Sequence, residues 1–132
     1  MITEKQVLLI HTKAIEKFGG SQGVRDSHLL LSAIQRPYTT FDQQELYVSE
    51  IDKATAVLES IVRNHPFSDG NKRTGYILLR LWLLKAQMDI VATISEKYDF
   101  IISIAEGKLS FEEIKAWIRQ KIHPSSEETD AI

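Results

Sequence analysis

Apolar residues recur at intervals of three and four along most of the chain, which is the spacing of helix faces. Several of these stretches begin with a Ser or Thr that is followed three positions later by Glu, Gln or Asp, as at a helix N-terminus. The starts are Thr3, Ser49, Thr93 and Ser110. Asp26 can cap one more helix, and a strongly apolar run begins at Gly75. The pattern predicts an all-α domain, a bundle of about six helices.

The first predicted helix ends at Gly19 and turns one apolar face inward. That face carries Val7, His11, Ala14, Ile15 and Phe18. We therefore expect His11 to be a core histidine with satisfied ring nitrogens rather than a ligand. The run after Gly75 is apolar on almost every side, which predicts the buried centre of the bundle.

Residues 37–48 interrupt the helical pattern. They begin with Pro37, which is expected to end the second helix, and place Thr, Tyr and Phe in a polar stretch. This composition favours a hairpin-like flap or an irregular loop. By analogy with known proteins, such a segment can clamp the backbone of a partner as an added strand, and an ordinary surface loop fits it equally well.

The 132 residues, 43% of them hydrophobic, fit a single helical domain over residues 1–122. Residues 123–132 are rich in Ser and Glu, and we expect them to form a disordered acidic tail. A net charge of −2 without a basic stripe argues against binding nucleic acid or a membrane surface. The absence of Cys excludes disulfides and thiolate chemistry. No signal peptide or membrane span is apparent, so a cytoplasmic protein is expected.

The segment His65–Gly75, which reads HPFSDGNKRTG, concentrates polar residues between two apolar helices. Gly70 can adopt a positive φ and lets a ligand approach its backbone. If a helix begins at Gly70 or Asn71, its first amides and its dipole favour an anion such as phosphate. Lys72 and Arg73 in that first turn are unfavourable unless an anion is bound there. The segment therefore predicts a phosphate site.

Two further side chains supply chemistry. Histidine exchanges protons near neutral pH, so His65 could accept a proton from a hydroxyl group. Asp69 offers hard oxygen ligands to Mg²⁺, which usually binds one or two carboxylates together with substrate phosphates. Phe67 lies between them and is expected to anchor the loop in the core. These groups suffice for phosphoryl or nucleotidyl transfer, although each residue alone also fits a structural corner between helices.

The segment resembles the signature of the Fic/Doc superfamily, H-x-F-x-D/E-G-N-G/K-R, at every fixed position. It is most similar to the Doc (death-on-curing) toxins of toxin–antitoxin systems. Residues 18–26, which read FGGSQGVRD, and the helical layout on both sides are also similar to Doc toxins. The resemblance covers all of the chain except the acidic tail.

The resemblance implies a role for each residue of the segment. His65 would be the base that activates a hydroxyl of a target protein, and Asp69 would hold Mg²⁺ beside the phosphates of ATP. Phe67 would be the buried anchor. The phosphates would be bound with the help of the residues that begin the next helix: Gly70, Asn71, Lys72 and Arg73.

One position separates the branches of this superfamily. Fic proteins that transfer AMP usually have Gly at the position of Lys72, and often a second Arg at the position of Tyr76. In the Doc branch, Lys at this position is associated with reversed ATP and transfer of the γ-phosphate. The resemblance thus implies a kinase-like toxin that modifies a threonine of translation elongation factor Tu, blocks translation and is neutralised by a Phd-like antitoxin.

Two alternatives remain open. The first is a protein adenylyltransferase with the same fold, favoured by the intact Gly70 and Asn71 and disfavoured by Lys72 and Tyr76. The second is an RNA-directed toxin that uses His65 and Arg73, against which the lack of a basic surface argues.

Overall fold

The computed structural model describes residues 2–125. This part of the chain forms six α-helices, a short 3₁₀ turn and two small two-stranded sheets, which confirms the predicted all-α bundle. The helices are α1 (Glu4–Phe18), α2 (Ser27–Gln35), α3 (Glu50–Asn64), α4 (Asn71–Lys85), α5 (Ile94–Ala105) and α6 (Phe111–Lys121). The strands are β1 (Thr40–Phe41), β2 (Gln44–Glu45), β3 (Met88–Ile90) and β4 (Ile122–Pro124), and the 3₁₀ turn is Arg36–Tyr38. Among residues 2–125, no helix has the length and apolar character needed to cross a membrane.

The predicted helix starts are confirmed as capping boxes. At the start of α1, the Thr3 hydroxyl accepts from the Gln6 N–H at 3.2 Å, and the Gln6 side chain accepts from the Thr3 N–H at 2.8 Å. The same reciprocal pair begins α3, α5 and α6. Asp26 caps α2 through the amides of His28 and Leu29. Each cap satisfies amides that lack a helical partner and is worth about 1 kcal/mol.

The centre of the bundle is α3, not α4 as predicted. Every residue from Lys53 to Val62 is buried, whereas α4 exposes Lys72, Arg73 and Arg80 on its outer side. The two helices approach closely at Gly75, where an added Cβ would lie 2.7 Å from Cγ2 of Val62. The α4 sequence looked uniformly apolar because its inward side, with Leu78, Leu79 and Leu83, is extended by partly buried residues near its C-terminus.

A buried ion-pair network crosses the middle of α3. Glu59 accepts from Arg36 at 2.9 Å and from Arg63 at 2.6 Å. Arg63 also donates to the backbone carbonyls of Ile104 and Leu109, in and after α5. Because each charge has a partner, the network ties the 3₁₀ turn and the connection between α5 and α6 to the central helix.

Of the two structures expected for residues 37–48, a hairpin-like flap or an irregular loop, β1 and β2 show the hairpin. We call residues 39–48 the flap. Asp42 and Gln43 form its turn, both at positive φ (52° and 65°), as in the tight turns that suit the twist of a hairpin. The base is held by Lys53, whose ammonium donates to the carbonyls of Tyr47 at 2.5 Å and Val48 at 3.1 Å.

The strands β3 and β4 were not predicted. They pair antiparallel, with Ile90 opposite Ile122 and Met88 opposite Pro124, and so join the end of α4 to the end of α6. The predicted domain boundary between residues 122 and 123 falls inside β4. Most of the predicted acidic tail, residues 126–132, lies outside the described residues.

Candidate functional site

The connection between α3 and α4, which we call the loop (residues 65–70), reverses the chain between two left-handed residues. His65 ends α3 with φ 51° and ψ 59°, and Gly70 precedes α4 with φ 75° and ψ 17°. Histidine tolerates this conformation better than bulky or β-branched residues, and glycine adopts it freely. His65 is exposed and stands at one end of the loop.

The middle of the loop is fastened to α4 by two buried side chains. Phe67 is 1% exposed. The Asn71 side chain accepts from the Phe67 N–H at 2.9 Å and donates to the Phe67 carbonyl at 3.0 Å. These two hydrogen bonds fix the Asn71 side chain against the loop, and its backbone N–H is left for an anion site.

A second segment, residues 23–26, fastens the opposite side of the loop. Val24 pairs with Phe67 in a β-bridge, and the N–H groups of Arg25 and Asp26 both donate to the Pro66 carbonyl, at 2.8 and 3.0 Å. The Arg25 guanidinium donates to the carbonyl of His65 at 2.7 Å. Arg25 therefore fixes the backbone under the candidate base. No local pattern marks this role, because the partners lie 40 residues apart in sequence.

The Asp69 carboxylate is held at the start of α4 by backbone amides. It accepts from the Ser21 N–H at 3.1 Å and from the Gly70 N–H at 2.8 Å. These two hydrogen bonds, that of Ser21 first, lower the pKa of Asp69 below its usual value. Gly20 permits the approach, since a Cβ there would lie 2.8 Å from the carboxylate. Asp69 is thus a fixed, ionised and exposed carboxylate at neutral pH.

The N-terminus of α4 presents backbone donors beside this carboxylate. The first helical hydrogen bond runs from the Thr74 N–H to the Gly70 carbonyl at 2.9 Å. The N–H groups of Asn71, Lys72 and Arg73 precede it and have no acceptor within the helix, and Gly70 provides no side-chain cap. Three amides at the positive end of a helix dipole form a favourable place for a phosphate.

One of the two first-turn cations has a partner inside the protein, which weakens the sequence argument based on them. The Arg73 guanidinium stacks over the Phe18 ring, 3.8 Å from its centroid. Phe18 was predicted to face inward but is 52% exposed. It is the last residue of α1, and its ring packs against Arg73 instead of entering the core. The charge of Lys72 contributes to the lowered pKa of Asp69. A bound phosphate is therefore only one of several groups that could balance the positive charges in the first turn of α4.

A cleft of about 490 Å³ opens between the start of α4 and α5. Its walls include Phe18, Asp69, Lys72, Arg73, Tyr76 and Tyr98. The volume lies within the usual range for small-molecule sites. Helix α5 was not predicted to contribute, since an exposed Tyr98 at helical spacing suggests only a solvated face. The described lining includes Asp69 and the first turn of α4 but not His65, which stands at the other end of the loop.

The chemistry of Asp69 fits Mg²⁺ bound together with a phosphate. Among residues 2–125 there is no group of three or more His, Cys, Asp or Glu side chains that could form a complete metal site. An ionised carboxylate has about four lone pairs, so Asp69 keeps acceptor capacity beyond its two amide donors. Mg²⁺ commonly takes one or two carboxylates and completes its shell with water and substrate phosphates.

Comparisons with known proteins agree with this geometry. Residues 1–83, which include the loop and most of α4, match a family model described as the Fic/DOC family. The chain is also similar to Toxin Doc of Mycolicibacterium smegmatis (strain ATCC 700084 / mc(2)155), with 48% identity over 59 residues. That stretch is 45% of this chain and 45% of the relative, so the chain spans less than half of the curated relative that it matches.

Proposed function

The chain belongs to the Fic/DOC family, and from this membership and the geometry of the site we propose that it is a Doc-type toxin that transfers the γ-phosphate of ATP to a hydroxyl group of a target protein. One observation carries the proposal. The ionised Asp69, the free amides at the start of α4, Lys72 and Arg73 all face one cleft. This combination suits the phosphates of a nucleotide.

In this proposal, the first turn of α4 binds the phosphates. The amides of Asn71, Lys72 and Arg73 donate to phosphate oxygens, and the Lys72 and Arg73 side chains balance the negative charge. Phe18 holds the Arg73 guanidinium at the cleft wall through their stacked contact. The space between Phe18 and α5 can accommodate the rest of the nucleotide.

Asp69 has a second task, which is to hold Mg²⁺ against the phosphates. When bound, Mg²⁺ neutralises charge on the phosphate oxygens and orients them. Asp69 is suited to this because the amides of Ser21 and Gly70 fix the direction of its carboxylate and keep it ionised. Pre-organised ligands of this kind cost little reorganisation on binding.

His65 acts as the general base. It removes the proton from the target hydroxyl as that oxygen forms a bond to the γ-phosphorus, and the bond from the γ-phosphorus to the β–γ bridging oxygen breaks. ADP leaves, and the proton stays on the imidazole until solvent removes it. Arg25 keeps the His65 backbone in place through its 2.7 Å hydrogen bond.

The choice of γ-phosphate transfer rests on Lys72. This long cation lines the cleft at the N-terminus of α4. AMP-transferring Fic proteins, which this chain otherwise resembles, usually have Gly at that position. A Lys here narrows the space for an α-phosphate and supplies charge for a terminal one. By the same resemblance, the target is a threonine of elongation factor Tu and the regulator is a Phd-like antitoxin. The similarity to Toxin Doc supports the toxin role.

The test is a transfer assay with purified elongation factor Tu, Mg²⁺ and ATP labelled on either the α- or the γ-phosphate. We expect label only from the γ-position and a mass gain of one phosphate on a threonine. A mass gain of AMP would overturn the kinase assignment in favour of an adenylyltransferase. Intact protein targets together with cleaved RNA in cells that express the chain would contradict both reactions. His65→Ala serves as the inactive control.

A further inference from the structure

The buried His11 of α1 contacts the loop from the side of the protein core. It is 2% exposed, and its ring lies parallel to that of Phe67, with centroids 3.8 Å apart and planes at 5°. Its Nε2 atom lies 2.8 Å from the carbonyl oxygen of Asp69. A carbonyl oxygen can only accept, so this contact requires a hydrogen on Nε2. The expected core histidine therefore has a specific partner in the loop.

The contact determines which way a peptide group faces. In a planar trans peptide, the C=O and the N–H point in opposite directions. Since the Asp69 carbonyl points toward His11, the N–H of Gly70 points away from α1. There it donates to the Asp69 carboxylate at 2.8 Å. With this peptide turned over, a carbonyl oxygen would face the carboxylate instead of a donor.

Glycine makes such a reversal easy. Gly70 has φ 75° and no side chain, so its own backbone preferences do not select one orientation of the preceding peptide. A Cβ at Gly70 would lie 2.8 Å from Cδ1 of Ile15 and 3.6 Å from Nε2 of His11, so α1 lies directly beneath it. Within the loop, the Asp69 carboxylate favours the observed orientation by accepting from the Gly70 N–H. His11 is placed to fix the same orientation from α1, through the carbonyl at the other end of the peptide.

We propose that His11 is a positioning residue of the site, which locks the Asp69–Gly70 peptide through its Nε2–H and thereby holds the Asp69 carboxylate in place at the start of α4. Its importance for nucleotide binding rests on the proposed function, whereas its effect on the loop exists in the free protein. His11 touches no reacting atom. It acts through Asp69 and Gly70.

The first experiment uses the unmodified protein without nucleotide. Long-range ¹H–¹⁵N spectra report which imidazole nitrogen carries the hydrogen, with His28 and His123 as internal references. We expect Nε2 of His11 to be protonated and the Gly70 amide to give a single resonance. A His11 ring with its only hydrogen on Nδ1 would overturn the proposal.

The second experiment separates the hydrogen bond from the packing. His11→Phe keeps a ring against Phe67 but removes the donor, whereas His11→Gln keeps an amide donor at a similar reach and removes the ring. We expect His11→Phe to shift or split the Gly70 amide resonance and to weaken Mg-ATP binding about tenfold, the size of one hydrogen bond. His11→Gln should stay within about threefold of the unmodified protein.

The opposite ranking, with His11→Phe intact and His11→Gln impaired, would show a packing role and overturn the proposal. A thermal melt of each variant identifies any that fails to fold, and in that case the tautomer of the unmodified protein decides. The Gly70 and His11 resonances are read without nucleotide. A chain that transfers no phosphate but shows the expected tautomer and Gly70 shift would therefore contradict the proposed function alone.

Discussion

The flap precedes the central helix α3 and the loop follows it, and the two segments differ in how firmly they are held to the rest of the molecule. The loop is held from three directions, by His11 of α1, by the Arg25 guanidinium and by the Asn71 side chain. The flap is held on the side of its second strand, where Lys53 donates to the carbonyls of Tyr47 and Val48 and pairs with Glu45. Its Phe41, on the first strand, is 78% exposed. Both contain left-handed residues, so a turn as such does not decide how firmly a segment is fixed.

The difference fits two proposed tasks, catalysis by the loop and partner binding by the flap. Catalytic groups require fixed geometry, which the loop provides with hydrogen bonds that extend to α1, the segment after it and α4. A partner-binding segment benefits from an open edge, and within residues 2–125 the strands of the flap pair only with each other. We therefore expect substitutions in the loop to affect chemistry and folding, and substitutions in the flap to affect only the transfer to a protein target.

The largest effect is expected at His65. His65→Ala should lower the rate of phosphate transfer by at least about 100-fold, the usual contribution of a positioned base, with little change in thermal stability because the side chain is exposed. The measurement is the initial rate of label transfer. Full activity of this variant would break the assignment of chemistry to the loop.

The next effect is expected at Arg73. Arg73→Ala should weaken nucleotide binding about 10- to 100-fold, the range for loss of a charge-assisted hydrogen bond, as measured by calorimetry. The loss of its exposed stacking on Phe18 should cost only about 0.5–1 kcal/mol of stability. The control for binding is Arg80→Ala, which removes an arginine two turns further along α4 that pairs with Asp89 and does not line the cleft. Loss of the cooperative thermal transition in Arg73→Ala would instead indicate a structural role.

A stability effect is expected at Asn71. Asn71→Ala removes both side-chain hydrogen bonds to Phe67 and leaves buried backbone groups unsatisfied, so the free energy of unfolding should fall by about 1–3 kcal/mol. The melting temperature should fall by about 5–10 °C. Gln44→Ala in the flap is the comparison, and we expect it to change stability by less than about 0.5 kcal/mol. Equal effects at the two positions would remove the contrast between loop and flap.

The pH dependence of the loop follows from Asp69. Its pKa in the folded protein lies below the ordinary 3.8, so the stabilisation from the Ser21 and Gly70 amides is complete above pH 3.8 and is lost as pH falls through the folded value. Asp69→Asn should therefore be less stable than the unmodified protein at pH 6, and the difference should shrink at the acid end of a urea-unfolding series. A difference that is constant with pH would contradict the two amide contacts.

The smallest effect on the free protein is expected in the flap. Phe41→Ser should change stability by less than about 0.5 kcal/mol and leave nucleotide binding unchanged, because the ring makes little contact with the rest of the molecule. Only the transfer to the protein target should slow. Unchanged transfer would assign the flap to ordinary surface structure.

The helices could be predicted because their signals are local. A capping box spans four residues, and an apolar face repeats within two turns, so Thr3, Ser49, Thr93 and Ser110 marked the starts of helices before any long-range contact was known. The break in the helical pattern at residues 37–48 was predictable in the same way, but the local pattern did not distinguish a hairpin from an irregular loop.

What could not be predicted depends on partners far away in sequence. Arg25 contacts a carbonyl 40 residues away, and His11 contacts one 58 residues away. The strands β3 and β4 are three residues each, too short for an alternating pattern, and they pair across two helices. The residues of the site could be named from their order in the chain, but the contacts that hold them could not.

The left-handed backbone at His65 also limits which substitutes the chain can accept there. A residue at this position must meet two requirements: it must adopt the left-handed backbone conformation, and it must accept a proton. Asn and Gly meet the first requirement and fail the second, whereas Val, Ile and Thr disfavour the left-handed conformation. Under the proposed function, His65→Asn and His65→Gly are therefore the best choices for producing a folded but inactive form of the protein, suitable for capturing a nucleotide or an antitoxin.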